Sequence, residues 1–170
     1  MCGIAALAIK VSDGGPVLFR QTRVGKDGVD FELLKLRTMV VNAETMGAGL
    51  AVNEGDSRIT RAGRILRKLS LDELPQLWNV FIGDMSLVGP RPEQPLFVHQ
   101  FRASVPRYML RHHVKAGITG WAQVNGLRGD TPLERRIEYD LYYIEHWSLV
   151  FDLRILALTF VRVFRDASAY

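Results

Sequence analysis

Residues 57–92, SRITRAGRILRKLSLDELPQLWNVFIGDMSLVGPRP, are the stretch that decides the fold. In its first part, apolar residues recur at helical spacing and cations occupy the remaining positions. This pattern predicts a helix that is apolar on one side and strongly cationic on the other. The apolar positions are Ile59, Ala62, Ile65, Leu66 and Leu69, and the cations are Arg58, Arg61, Arg64, Arg67 and Lys68.

A second helix is predicted to begin near Asp72. Pro75 is tolerated in the first turn of a helix, where its missing N–H is not needed. Asp72 and Glu73 would then lie at a helix N-terminus, where the helix dipole keeps Asp72 ionised. The plain alternatives are that these carboxylates are simple caps and that the cationic face is only solvated.

An arginine-rich helix that leads directly into two adjacent carboxylates suits phosphate chemistry. Arginine binds phosphate oxygens in a bidentate manner, and Mg²⁺ usually binds phosphates together with one or two carboxylates. An aspartate can also act as a nucleophile and form an acyl phosphate. The stretch therefore predicts a site for a diphosphate and a metal. Arg91, held between Pro90 and Pro92, is a second basic candidate, and an ordinary connector is the alternative there.

The residues before this stretch predict a β-hairpin. The segments PVLFRQTRVG and VDFELLKLRT flank Lys26, Asp27 and Gly28, so Asp-Gly marks the bend. Lys35 and Arg37 share one face of the second strand because side chains alternate with period two. Residues 42–56 are polar and contain several glycines, which predicts a surface loop.

Two further helices are predicted after the stretch. Thr131, Pro132 and Glu134 form a capping-box pattern with proline at the first helical position. An apolar stripe should follow in that helix. The last candidate, Leu149 to Phe164, is interrupted by charges, so it should lie in an interface or pack on the protein instead of crossing a bilayer. The stripe residues are Leu133, Ile137, Leu141 and Ile144, and the interrupting charges are Asp152, Arg154 and Arg162.

Composition narrows the function classes. A length of 170 residues suits one globular domain, and Lys plus Arg exceed Asp plus Glu by 22 to 18. This excess suits an anionic substrate or a membrane surface and is too small for a dedicated nucleic-acid binder. A single cysteine excludes a disulfide framework and a CxxC metal site.

The histidines and aromatic residues allow more than one role. His112 and His113 are adjacent and lack a third ligand nearby, so a surface or headgroup role is expected instead of metal binding. The tryptophans and tyrosines could form a membrane-interface belt, and core packing is the default for each ring taken singly. These rings are Trp78, Trp121, Trp147, Tyr139, Tyr142 and Tyr143.

The first ten residues, MCGIAALAIK, have two interpretations. Removal of Met1 would leave Cys2 with a free amine, the arrangement with which glutamine amidotransferases attack an amide. The apolar run from Ile4 to Ile9, closed by Lys10, instead has the pattern of a membrane-inserted helix where it meets water.

Five motifs along the chain resemble the bacterial sugar transferase family, the monotopic phosphoglycosyl transferases that start exopolysaccharide and O-antigen assembly. The resemblance extends from about Ala8 to about Phe164. Its motifs are LFRQTRVG, KLRTM, SLDELPQLWNVFIGDMSLVGPRP, GITGWAQVNGLRG and YDLYYIEHWSLVFDLRIL.

This resemblance implies an α+β fold that is mainly helical with a small β-hairpin, in a membrane-associated monotopic catalytic domain. Residues 1–12 are expected to be the remnant of a truncated re-entrant membrane helix. Residues 13–170 would form the catalytic domain, with a C-terminal interfacial helix at about 149–164. Family members usually carry a basic patch and a long apolar helix before the position of Ile4, so a truncated start or an incomplete gene product is expected.

The resemblance also implies a two-step reaction. Asp72 would attack the sugar-bearing phosphorus of a UDP-sugar, expel UMP and hold the phosphosugar until undecaprenyl phosphate accepts it. Glu73 would assist through Mg²⁺, so both carboxylates are candidate catalytic and metal-binding residues. Candidate contacts to phosphate and nucleotide-sugar are Lys35, Arg37 and Arg91, with Arg64 and Arg67 assigned either to phosphate or to anionic lipid headgroups.

The expected partners follow from that reaction. They are a UDP-sugar, with glucose favoured over galactose, and undecaprenyl phosphate at the cytoplasmic face of the bacterial inner membrane. No nucleic acid is expected, and a homodimer is one option for the oligomeric state. The alternative function is a non-catalytic basic module that binds anionic lipid or polymer.

Overall fold

A computed structural model describes residues 2–46, 55–129 and 131–165. Helices outweigh strands in these residues, which confirms the expected α+β class. The helices are α1 (Cys2–Asp13), α2 (Arg61–Lys68), α3 (Gln76–Phe81), α4 (Pro95–Ser104), α5 (Trp121–Val124), α6 (Leu133–Glu145) and α7 (Leu149–Arg165). The strands are β1 (Leu18–Val24), β2 (Asp30–Leu36), β3 (Ser86–Val88) and β4 (Gly117–Thr119). Short 3₁₀ turns occupy Lys26–Gly28, Ala43–Thr45, Leu71–Glu73 and Tyr108–His113.

The chain divides into two units. The first comprises Met1–Arg20, Leu34–Pro75 and Val163–Tyr170, and the second comprises Gln21–Leu33 and Gln76–Arg162. Within the residues that the structure describes, no helix combines the length and the apolar character that a membrane span requires.

The predicted β-hairpin is confirmed. Strands β1 and β2 pair in a two-stranded sheet, and the turn Lys26–Gly28 connects them. Asp27 and Gly28 have positive φ angles of 56° and 77°. Aspartate and glycine tolerate this left-handed conformation better than most residues, which explains why the Asp-Gly pair marks the bend.

The first unit is built around a small apolar cluster from three elements. Ile9 of α1, Leu36 of β2 and Leu66 of α2 are buried together, with Ala5, Val17 and Leu71 packed against them. Helix α1 ends where Gly14, at a φ of 73°, donates its N–H to the Lys10 carbonyl at 3.0 Å. Opposite Ile9, the α1 side chains Leu7 and Val11 are exposed. The α1 helix therefore has one face in the core and one face outside it.

The second unit contains a parallel pair of strands and two apolar clusters. Strands β3 and β4 pair with Ser86 opposite Gly117 and Val88 opposite Thr119. Their backbones are so close that a Cβ on Gly117 would collide with the backbone N of Gly89. Only glycine fits this position, which explains its place in the motif GITGW. Helix α6 contributes the predicted apolar stripe to one cluster, whose buried members are Val24, Val98, Tyr108, Ile137 and Leu141.

Helix α6 begins differently from the prediction. The prediction of a capping box is wrong, because Pro132 is the N-cap residue and no side-chain hydrogen bond caps the helix. The Thr131 hydroxyl is buried and has no hydrogen-bond partner among the described residues. The helix begins at Leu133, so Pro132 lies one position before the helix instead of in its first turn.

Helix α7 confirms the predicted helix at about 149–164. Asp152, which interrupts its apolar run, accepts a hydrogen bond from the Tyr143 hydroxyl at 2.8 Å and from Trp147 Nε1 at 3.2 Å. The Asp152 carboxylate of α7 is therefore hydrogen bonded to Tyr143 of α6. The side chain of Ile155 on the packed face is fully buried. The outer face is apolar and exposed, with Leu149, Val150, Leu153, Phe160 and Val161.

The helix that was predicted to begin near Asp72 begins later. Asp72 and Glu73 lie in the 3₁₀ turn Leu71–Glu73, and α3 begins at Gln76. Pro75 has no N–H with which to extend a helical ladder back to this turn, so the α-helix begins only after it. These two adjacent carboxylates, called the dyad below, therefore occupy a tight turn and not the first turn of a helix.

Two residues at the start of the predicted cationic helix also differ from expectation. Helix α2 begins at Arg61, and Ile59 forms an isolated antiparallel bridge with Met39. Arg58 is buried instead of solvated, and its Nη2 pairs with Asp56 Oδ2 at 2.6 Å. Its Nη1 donates to the Ala43 and Met46 carbonyls at 2.8 and 3.1 Å. The predicted loop 42–56 therefore has an arginine anchor, and its residues 47–54 lie outside the described residues.

Candidate active site

The two adjacent carboxylates lie in a sharp turn at the end of α2. Ser70 adopts a left-handed conformation with a φ of 52°, which reverses the chain directly after the helix. The backbone N–H groups of Glu73 and Leu74 then donate to the Ser70 and Leu71 carbonyls at 3.4 and 3.3 Å. Leu71 packs against the apolar cluster of the first unit, and Asp72 is buried.

Glu73 is held from the other side by the end of strand β2. Lys35 Nζ donates to Glu73 Oε1 at 3.0 Å, and both side chains are about one-fifth exposed at 19%. Asp72 therefore lies between a neighbour fixed by apolar packing and a neighbour fixed by an ion pair. This arrangement fixes the backbone on both sides of Asp72.

The segment that follows Lys35 also positions the arginine helix. Thr38 Oγ1 accepts a hydrogen bond from Arg67 Nε at 2.8 Å, and the Thr38 carbonyl accepts one from the Thr60 N–H at 3.0 Å. Thr60 in turn caps α2, because its hydroxyl accepts from the Gly63 N–H at 2.9 Å. The close approach leaves no room for a side chain at Gly63, where a Cβ would collide with the Thr38 carbonyl.

The remaining cations of the first unit have different surroundings. Arg37 follows β2 by one residue and is buried, and its guanidinium lies against the backbone of Gly15. Arg64 lies on α2 with an exposed side chain, as do Arg61 and Lys68. Of the predicted contact residues, Lys35 and Arg67 are thus joined to the dyad turn and to Thr38, while Arg64 is available to solvent.

The family model described as "Bacterial sugar transferase" matches residues 1–166 of the chain.

The chain belongs to the bacterial sugar transferase family.

Three curated relatives show the degree of similarity. The chain is 48% identical over 174 residues to the UDP-glucose:undecaprenyl-phosphate glucose-1-phosphate transferase of Escherichia coli (strain K12), which covers 100% of the chain and 37% of the relative. It is 51% identical over 156 residues to the UDP-N-acetylgalactosamine-undecaprenyl-phosphate N-acetylgalactosaminephosphotransferase of Aeromonas hydrophila, with 91% and 37% coverage. It is 41% identical over 172 residues to the UDP-galactose-lipid carrier transferase of Erwinia amylovora, with 93% and 35% coverage. The chain thus spans little more than a third of the length of these sugar transferases.

The carboxylates of this sugar transferase fit part of a magnesium site. Mg²⁺ prefers oxygen ligands and commonly takes one or two carboxylates together with substrate phosphates. Asp72 and Glu73 supply two such groups from one turn. In the part of the chain that the structure describes, no group of three or more His, Cys, Asp or Glu side chains could hold a metal. The dyad therefore fits a metal whose remaining ligands come from a diphosphate and water.

Arg91, the last predicted contact residue, belongs to the second unit. It is partly buried, and its backbone carbonyl accepts a hydrogen bond from Arg111 Nη2 at 2.9 Å. Residues 90–94 form neither a turn nor a regular element, so the rigid turn expected at Pro90–Arg91–Pro92 is not present, and the segment is held by hydrogen bonds instead. Arg91 and Arg111 line the same small pocket, together with Val24, Gly25 and Val114.

Two polar groups of the site region were missed by reasoning from sequence. Thr38 lies in the quoted motif KLRTM, yet only the fold brings it to Arg67, 29 positions later. Arg111 was unremarkable in the sequence, although a buried arginine must have carboxylate partners. It pairs with Asp140 at 2.7 Å, and a lone aspartate within an apolar helical stripe is the signal that could have revealed the pair.

His112 was predicted to be a surface residue, and that prediction is wrong. Its ring is buried, and burial together with the charge of Arg111 lowers the pKa of His112 to about 4. The imidazole is therefore neutral at physiological pH. His113 is exposed, as expected.

The aromatic residues differ in burial, and the membrane-interface belt stays a prediction for the exposed rings. Tyr143 is buried, and Trp121 is partly buried against Phe151. Trp78, Trp147 and Tyr142 are about half exposed or more.

Proposed function

We propose that the chain transfers a sugar 1-phosphate from a UDP-sugar to undecaprenyl phosphate, with release of UMP. In the first step, an Asp72 carboxylate oxygen attacks the sugar-bearing phosphorus. The bond from this phosphorus to the bridging oxygen breaks, and its electron pair leaves with UMP. In the second step, a phosphate oxygen of undecaprenyl phosphate attacks the same phosphorus and returns the Asp72 carboxylate.

The observation that carries this proposal is the placement of Asp72. A nucleophile reacts faster when its position is fixed before the substrate arrives. Asp72 lies between Leu71, which packs in the core, and Glu73, which pairs with Lys35 at 3.0 Å. A carboxylate that served only as a surface cap would not need to be buried between two anchored neighbours.

Cations of the first unit would stabilise the charge that develops on the transferred phosphoryl group. Lys35, Arg37 and Arg67 are the candidates with fixed positions. Asp72 and Glu73 would hold Mg²⁺, which supplies positive charge to the phosphate oxygens when it is bound.

The sugar is the least determined part of the proposal. Relatives of similar identity are named for glucose, N-acetylgalactosamine and galactose. We favour glucose because the relative from Escherichia coli (strain K12), whose match covers 100% of the chain, is named for glucose 1-phosphate. Turnover of a panel of UDP-sugars would distinguish the three.

The proposed location is the cytoplasmic face of the bacterial inner membrane. The acceptor lipid resides in the bilayer, and the exposed apolar face of α7 suits an interface between headgroups and acyl chains. In this proposal, residues 1–12 are part of a membrane-inserted helix. The oligomeric state includes a homodimer as one option.

The decisive experiment is mass spectrometry of the chain after incubation with UDP-glucose and Mg²⁺. A hexose-phosphate adduct should appear on Asp72, with release of one UMP per adduct. The Asp72→Asn variant should show neither product, whereas Asp30→Asn, which alters an exposed carboxylate at the start of β2, should behave like the wild type. UMP release without an adduct would exclude the covalent intermediate.

The alternative is a non-catalytic module that binds anionic lipid or polymer through the exposed cations of α2, Arg61, Arg64 and Lys68. It predicts binding to anionic vesicles without UMP release from any UDP-sugar. A glutamine amidotransferase that uses Cys2 predicts glutaminase activity that Cys2→Ala abolishes.

A further inference from the structure

Residues 90–93, which carry Arg91, are hydrogen bonded along their backbone. Four successive carbonyl oxygens each accept a hydrogen bond from a different residue of the second unit. Pro90 and Pro92 have no backbone N–H to donate, so the hydrogen bonds that the four carbonyls accept are what hold this segment to the rest of the second unit. The donors are Gly117 N to Pro90 at 2.9 Å, Arg111 Nη2 to Arg91 at 2.9 Å, Arg23 Nη1 to Pro92 at 3.1 Å and Val24 N to Glu93 at 2.9 Å.

Arg111 differs from the other donors because its charge is buried. Its Nη2 also donates to Asp140 Oδ2 at 2.7 Å, and its Nη1 lies 3.7 Å from Glu93 Oε1. Its guanidinium lies over the Tyr108 ring, 5.6 Å from the centroid. A single nitrogen therefore connects the Arg91 carbonyl to a carboxylate of helix α6.

The charge state of this group is well defined. Burial by itself would lower the pKa of Arg111, but the carboxylates of Asp140 and Glu93 raise it above the ordinary value. Burial raises the pKa of Asp140, and the charge of Arg111 opposes this effect. The Arg111–Asp140 pair is ionised, because the Arg111 guanidinium stays charged and donates directly to the Asp140 carboxylate. Removing one member would leave a buried, uncompensated charge.

We propose that Arg111 is a positioning residue that fixes the backbone of Arg91 and thereby sets the orientation of the Arg91 guanidinium within the second unit. The proposal rests on the proposed function and on the expectation, implied by the family resemblance, that Arg91 contacts the nucleotide-sugar. Arg111 donates to the Arg91 main chain and itself takes no part in the reaction. Helix α6 supplies the rigid support through Asp140, whose neighbours Ile137 and Leu141 are buried in the core.

The first measurement is hydrogen exchange and needs no turnover. The Arg111→Lys variant keeps a positive charge near Asp140 but loses the planar group that reaches both acceptors. Exchange should accelerate at the amides of Gly117 and Val24, which donate into residues 90–93. The matched control is Arg107→Lys, whose exposed partner Glu145 lies 2.9 Å away. Unchanged exchange at both amides in Arg111→Lys would overturn the proposal.

The second measurement is a double-mutant cycle on UMP release. Arg111→Lys should lower kcat/KM for the UDP-sugar by about 10- to 100-fold, the scale of a small misplacement of a binding group. In the Arg91→Ala background the same change should have little further effect, because the group that it positions is gone. If the two losses multiply, Arg111 supports the fold only and the proposal is wrong.

A second variant covers the case in which Arg111→Lys does not fold. Asp140→Asn keeps the side-chain volume and an acceptor oxygen. It should therefore accelerate exchange at the same two amides and couple to Arg91→Ala in the same direction as Arg111→Lys, with smaller changes. If the wild-type chain releases no UMP, the proposed function fails. The exchange measurement then still decides whether Arg111 fixes residues 90–93.

Discussion

Lys35 at the end of strand β2 pairs with Glu73 of the dyad turn, with Nζ and Oε1 3.0 Å apart. The two residues are 38 positions apart in sequence, and the pair joins the β-hairpin to the turn that carries Asp72. The ion pair gives Lys35 a role that differs from the one expected for it. It braces the second carboxylate of the dyad, whether or not it also contacts phosphate.

Replacing Lys35 by methionine should therefore impair catalysis more than stability. The change keeps the aliphatic stem and removes the charge, so the free energy of unfolding should fall by about 1 kcal/mol, as for a partly exposed ion pair. The rate of UMP release should fall by about 10- to 100-fold because Glu73 loses its fixed orientation. Lys26→Met, in the exposed hairpin turn, is the control. Equal activity of the two variants would contradict the bracing role.

Gly63 should tolerate no side chain. A Cβ there would collide with the Thr38 carbonyl, so Gly63→Ala should lower the free energy of unfolding by about 3 kcal/mol. Gly14→Ala, at a φ of 73° in open space, should cost only about 1 kcal/mol. Chemical denaturation of both variants measures the difference. Similar costs would mean that α2 can move away from Thr38.

The outer face of α7 should be needed for membrane binding and dispensable for folding. Leu153 and Phe160 are 58% and 69% exposed, so changing both to serine should leave the thermal midpoint nearly unchanged. The partition constant onto phosphatidylglycerol vesicles, measured by sedimentation, should decrease at least about 30-fold, because the two changes together remove about 2 to 6 kcal/mol of apolar burial in the interface.

The matched control on the same helix is Ile155→Ala. Ile155 is fully buried, so this variant should lose about 3 kcal/mol of folding free energy. At a temperature where it remains folded, it should still bind vesicles. Undiminished sedimentation of the double serine variant would exclude the α7 face as the membrane contact.

His112 should make the protein less stable in mild acid. Its pKa is about 4 in the folded chain and about 6.5 when unfolded. Between these values the unfolded chain binds more protons, so the free energy of unfolding should decrease as the pH falls from about 6.5 to about 4. The decrease attributable to this residue should not exceed about 2 kcal/mol.

The control for this titration is His112→Gln, which cannot take up the proton. Urea denaturation at a series of pH values should show a flatter pH dependence for this variant than for the wild type. His113→Gln should leave the pH dependence of the wild type intact, since His113 is exposed. An unchanged slope in His112→Gln would show that other groups cause the acid sensitivity.

Much of the local structure could be predicted because it depends on short-range physics. The Asp-Gly bend, the apolar stripe of α6 and the helix at about 149–164 follow from backbone preferences and hydrophobic periodicity. The errors occurred where one residue has two permitted roles. Pro75 and Pro132 are both compatible with a helix start, and only the surrounding backbone decided that each precedes its helix.

The sequence by itself determined the family, the hairpin and the adjacency of Asp72 and Glu73, because these depend on residue order and local conformation. Only the tertiary structure decided which cations have fixed partners. Lys35 pairs with Glu73 and Arg111 with Asp140, whereas Arg64 stays exposed. The reason is physical: a charge taken from water needs a partner, and the nearest carboxylate in space is set by how distant segments pack, which residue order alone does not specify.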